Sequence, residues 1–144
     1  MAQAKASIGT IDYAVSITAG RHALTADEAT EEGGGDTGPT PPELLCAALC
    51  ACTSITLRMY AKRKGWPLRA LHVDIDFVQD ERETAMTRLV TVEGDLDSQQ
   101  RARLADIVER TPVTLALKRG VRITTTLTTR TENTDSGRKY DLAD

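Results

Sequence analysis

The chain has 144 residues, of which 40% are hydrophobic and 3% aromatic, with a formal net charge of -3 and a pI near 5.4. That length and apolar share suit one domain whose core is filled by Leu, Ile, Val and Ala. An acidic balance with few aromatics excludes the basic face and the stacking platforms of a nucleic-acid binder.

The first five residues lead into alternation instead of an apolar signal segment. The longest apolar run, Leu44 to Cys52, falls far short of the roughly 20 residues that span a bilayer. All three cysteines lie within one predicted helix, which is no disulfide framework. The expectation is a reduced, cytoplasmic protein with no membrane contact.

Ala4 to Ile8 predicts a short strand. Ile11, Tyr13, Val15 and Ile17 alternate with polar or small residues and predict a second, half-buried strand. Ala19-Gly20 reads as a turn into a third strand, Arg21 to Ala26. Asp27 to Thr40, with Gly33-Gly34-Gly35 at its centre, cannot bury much apolar surface and reads as a flexible loop. It lacks the Lys-Ser/Thr of a phosphate loop.

A long helix is predicted from about Pro42 to Lys64, with a proline at its start and Gly65 and Pro67 at its end. Lys62, Arg63 and Lys64 suit the negative end of its dipole. From Leu44 to Cys52 it is apolar on almost every face, so it must be enclosed. One small sheet covers only one side, which points to a second subunit or an unusual wrap of sheet.

Leu71, Val73, Ile75 and Phe77 predict a strand, and Met86, Val90 and Val92 a second, joined as a hairpin through Gln79 to Glu83. Asp97 with Gln100 resembles a capping box for a helix running to about Arg110. Thr111-Pro112 reads as the N-cap and first position of a short helix ending near Gly120. Val121, Ile123, Thr125 and Leu127 predict the last strand, and 132–144 a polar tail after a single domain at 1–131. The class is α+β with a largely antiparallel sheet.

Cys46 and Cys50 share one helix face and read as core. Cys52 lies roughly 200 degrees around the axis from Cys50, so those two are poor disulfide partners. Cys52 reads either as packing or as a nucleophile. A metal site fails on ligand number, because only His22 and His72 could join the cysteines. No cofactor motif is present.

Gly34 to Pro41, Glu43-Leu44-Leu45, Ala47 to Thr53, and Leu57 to Leu68 with its Arg63-Lys64-Gly65-Trp66-Pro67-Leu68 run resemble the OsmC-like family. This is the family of osmotically inducible protein C and the organic hydroperoxide resistance proteins, and the nearest subgroup is the YhfA-like one. The resemblance implies an intertwined homodimer in which sheets from both subunits wrap two long central helices. It also implies peroxiredoxin-like reduction of organic hydroperoxides, in oxidative-stress defence. A helix cysteine becomes a sulfenic acid, and a second cysteine then closes a disulfide that an external thiol reduces. By this resemblance Cys52 matches the attacking cysteine and Thr111 stands where the second cysteine would be. A one-cysteine cycle with an external thiol reductant follows. Arg21 matches the activating arginine, with His22 as an alternative. The activating acid's position holds Pro42, beside Glu43. The other reading is a non-catalytic module whose dimer cavity holds a small apolar or thiol-bearing ligand lined by Cys52.

Overall fold

The computed structural model describes residues 1–130 and the backbone of 141–143. β1 (Ala4–Ser7), β2 (Val15–Ala19) and β3 (His22–Ala26) form an antiparallel sheet in that order. Gly20, at φ 62, makes the tight turn between β2 and β3. The predicted second strand is corrected at its start. Ile11 to Tyr13 bends away with Asp12 at φ 44, and Ile11 and Tyr13 are exposed. An aspartate tolerates that left-handed geometry better than most residues.

The Gly-rich segment is a loop, but a tightly held one. Asp27 is 3% exposed and accepts from the backbone N–H groups of Glu28, Gly35 and Thr37 and from the Thr37 hydroxyl at 2.6 Å. A short 3-10 turn, Thr30–Glu32, lies inside it. A Cβ at Gly34 would strike the Glu28 carbonyl, and one at Gly38 the Thr25 carbonyl. These two glycines are required by close backbone approach, so the segment is the opposite of a slack linker.

The loop delivers Thr40 as N-cap of α1 (Pro41–Lys64), with a capping box in which Thr40 and Glu43 satisfy each other's backbone N–H. Gly65, at φ 70, ends the helix as expected. β4 (Leu68–Gln79) and β5 (Thr84–Gly94) form the predicted hairpin, Leu71 opposite Val92 and Phe77 opposite Met86. α2 (Ser98–Val108) starts from the Asp97–Gln100 capping box. α3 (Pro112–Arg119) starts from Thr111.

β4 of the hairpin packs on α1, and so do α2 and α3. The core joins Leu57 and Ala61 of α1 to Leu68, Leu96, Leu104, Ile107 and Val108. It therefore sits at the C-terminal half of α1. In the N-terminal half only Leu49 is buried, while Ala47, Ala48 and Ala51 are exposed. Ile55 and Met59 continue that uncovered face at more than half exposure. By length and composition α1 meets the requirements for crossing a membrane, with mean hydropathy 1.6 and 22% of that stretch buried within the chain.

The predicted last strand is also corrected. Residues 121–127 form no strand, and Val121, Ile123 and Leu127 are exposed. A strand exists only against a hydrogen-bonding neighbour, and this segment has none among the described residues. β6 (Thr128–Arg130) instead pairs with β7 (Asp141–Ala143). The rest of the expected tail lies outside the described residues. Among the described residues the architecture is a mixed α/β fold of antiparallel sheets and three α-helices.

Candidate functional site

Cys52 lies near the middle of α1, half-buried, on the stripe Leu45, Leu49, Cys52, Thr56. That stripe runs toward the start of α3. The first position of α3 is Pro112, which has no N–H to offer. The first free backbone donor of the helix is therefore Val113, and its N–H donates to Cys52 Sγ at 3.4 Å. A helix of 24 residues and a helix of eight thus meet at one sulfur, at the positive end of the shorter one.

Thr111 is fully buried at the N-cap of α3, where its hydroxyl accepts from Thr114 N and lies 2.6 Å from Thr114 Oγ1. The position matched by resemblance to a second cysteine is therefore occupied by a capping hydroxyl. A cap needs an oxygen acceptor, and threonine supplies it.

The sequence reading missed Arg88. It projects from the inward face of β5, in phase with Met86, Val90 and Val92. Its side chain is 11% exposed. Nη1 donates to Thr53 Oγ1 and to Thr114 Oγ1, each at 2.9 Å, and Nη2 donates to the Val108 carbonyl at 3.1 Å. Glu109 stands 3.8 Å from Nη2 and is itself paired with Lys118. That lysine holds the Glu109 carboxyl below its usual range, with Arg88 a smaller contributor. A guanidinium taken from water needs such partners. The signal was present in the sequence: one arginine in an inward register otherwise filled by Met and Val.

A cavity of about 630 Å³ opens beside this junction. Leu45, Leu49, Phe77, Met86 and Val90 give it an apolar wall, Arg88, Thr114, Glu109 and Lys118 its polar end, and Cys52 stands outside the residues that line it. Leu45 and Leu49 stand two turns and one turn before Cys52 on the same stripe. A small organic molecule of mainly apolar surface fits a space of this size and lining.

The other residues singled out earlier lie elsewhere. Cys46 and Cys50 are half-buried free thiols, and Cys50 Sγ faces the Val73 carbonyl at 3.6 Å. Burial pushes the Cys50 thiol up, with Cys46 and Asp74 adding to it. It therefore suits packing better than nucleophilic attack. Arg21 is exposed in the β2–β3 turn, and neither it nor His22 hydrogen-bonds to Cys52. Glu43 serves the cap of α1. Within this chain the structure brings neither Arg21 nor Glu43 to Cys52. Among the described residues no group of three or more His, Cys, Asp or Glu side chains is placed to hold a metal ion.

Residues 33–126 match the family model of OsmC-like proteins. The chain belongs to the OsmC-like family. Solved structures with the same fold include an OsmC-like protein from Mycoplasma pneumoniae, 14% identical with TM-score 0.69, covering 82% of this chain and 87% of that one. The organic hydroperoxide resistance protein OhrB of Bacillus subtilis is 23% identical with TM-score 0.59, over 82% of this chain and 90% of its own. The organic hydroperoxide resistance protein OsmC of Legionella pneumophila is 19% identical with TM-score 0.61, over 82% and 89%. No protein of curated function matches. In this OsmC-like chain the matched region contains Cys52, Arg88 and Thr111, so the whole helix junction lies inside the family's domain.

Proposed function

We propose that this OsmC-like protein reduces organic hydroperoxides through Cys52, in a one-cysteine cycle reset by an external thiol, and that it is a YhfA-like member of the family. The carrying observation is the Val113 N–H donated to Cys52 Sγ at the start of α3. The sulfur there faces a fixed donor at the positive end of a helix, a geometry able to steady charge on sulfur as it forms and breaks bonds. The adjoining apolar cavity suits the organic half of such a substrate. The organic hydroperoxide resistance proteins that share the fold make this substrate class the natural first assay.

The chemistry balances as follows. The Cys52 thiolate attacks the terminal peroxide oxygen, the O–O bond breaks, and the alkoxide takes a proton to leave as an alcohol. Sulfur is oxidised to the sulfenic acid. A first external thiol condenses with it, releasing water and forming a mixed disulfide. A second external thiol displaces Cys52 as thiolate and leaves as a disulfide. Thr111 cannot take the resolving part, since a hydroxyl forms no disulfide.

The working unit proposed is a homodimer, intertwined as the family resemblance implies. Support comes from the exposed Ile55 and Met59 on α1 and from the unpaired alternation of Val121, Ile123 and Leu127. A second copy could cover the first and pair with the second, and it could bring Arg21 of its own β2–β3 turn toward the sulfur.

The test is consumption of cumene hydroperoxide with a monothiol or dithiol reductant by wild type and by Cys52→Ser. Turnover that vanishes in the variant supports the reading. Equal rates in both proteins, or none in either, refute it. A bound apolar ligand without turnover would establish the binding module instead.

A further inference from the structure

We propose that Arg88 is a positioning residue for Cys52, locking the Val113 N–H onto the sulfur by clamping the residues next to each partner. The inference rests on the reading of Cys52 as a reactive thiol, and it assigns a role to a side chain that never touches that sulfur.

The geometry is specific. One nitrogen of the guanidinium, Nη1, holds both Thr53, the neighbour of Cys52 on α1, and Thr114, the neighbour of Val113 on α3, at 2.9 Å each. The other, Nη2, holds the carbonyl of Val108, the last residue of α2. A rigid planar fork thus sets the spacing of three helices at the point where Cys52 and Val113 meet. The hydroxyls it grips are themselves committed. Thr53 donates to the Leu49 carbonyl at 2.7 Å, and Thr114 is in contact with the Thr111 hydroxyl at 2.6 Å. Both threonines are at most 4% exposed. None of these groups can swing to a new partner without leaving a buried polar atom unsatisfied. The contact from Val113 N to Sγ, 3.4 Å and ordinary in length for a sulfur acceptor, depends on the direction of the N–H, so a shift or tilt of α3 weakens it.

A purely structural ion pair is the competing explanation. It fits poorly, because among the described residues the only carboxylate paired with Arg88 is Glu109, at 3.8 Å, more than half exposed and already bonded to Lys118. The strong contacts of Arg88 are to two hydroxyls and one carbonyl, all at the helix junction.

The experiment follows carbamidomethylation by iodoacetamide, resolved for each cysteine by mass spectrometry, from neutral to alkaline pH. It needs no peroxide, so it stays informative even if hydroperoxide turnover proves absent. Arg88→Gln should slow labelling of Cys52 at neutral pH by about tenfold, the effect of losing one hydrogen bond to a charged sulfur. It should leave the Cys50 profile unchanged, and Arg88→Lys should recover part of the rate. Circular dichroism checks that the variants remain folded. If Arg88→Gln does not fold, Thr114→Val removes one gripped hydroxyl and should move the Cys52 profile in the same direction. A Cys52 profile that superimposes on wild type in a folded Arg88→Gln or Thr114→Val variant overturns the inference.

Discussion

The hydroxyls of Thr111 and Thr114 lie 2.6 Å apart, both side chains buried, at the start of the helix that faces Cys52. Two demands meet at residue 111. A thiol there could resolve an oxidised Cys52, whereas an oxygen caps α3 and joins the network led by Arg88. Thr111→Val keeps the shape and loses the oxygen. It should cost about 1–2 kcal/mol of stability by chemical denaturation, from the lost cap, which leaves the buried Thr114 N–H without its acceptor. Thr111→Cys should also be less stable than wild type. On peroxide treatment it should form an intramolecular disulfide between Cys52 and the introduced thiol, visible as loss of both free thiols.

Asp27 organises the loop before α1, and its carboxyl is held below the ordinary aspartate value of 3.8, chiefly by the Thr37 hydroxyl and then by the Glu28 amide. A carboxyl depressed by folding contributes stability that is fully present above the unfolded value, near pH 4. That contribution is lost as pH falls through the lower folded value. The melting temperature of wild type should therefore fall below about pH 4, in the range set by the depressed carboxyl. Asp27→Asn should melt lower at neutral pH, because its NH₂ group faces backbone donors. It should also show a shallower acid decline.

Ile123 is 82% exposed in an alternating segment with no strand partner among the described residues. In the proposed dimer it is covered. Ile123→Glu places a charge in that interface and should shift the protein toward monomer by at least about tenfold in dissociation constant. Light scattering across a concentration series reads this directly. A monomeric wild type at every concentration would remove the dimer from the account.

Much of this was legible in the sequence, and the failures have physical causes. The caps at Asp97 and Thr111, the stop at Gly65 and the β4–β5 hairpin came through because they are local. Each is set by side chains within a few residues of the backbone they serve. The 121–127 strand did not form because pairing is not local: alternation prepares a segment for a neighbour but does not supply one. Asp27 was passed over because its four bonds close a loop whose composition looks slack. Arg88 was passed over because a charge in an inward strand position reads as a break in the pattern, when it was the residue that tied three helices together. Cys52 was found, but its amide partner belongs to a helix 61 residues away in the sequence.

The central claim is that Cys52 is a peroxide-reactive sulfur. The most direct measurement is trapping with dimedone after one equivalent of cumene hydroperoxide, with the adduct located by mass spectrometry. The account predicts a sulfenic-acid adduct on Cys52, with Cys46 and Cys50 still free thiols. Unmodified Cys52 beside intact peroxide, or an adduct confined to the other two cysteines, would contradict it.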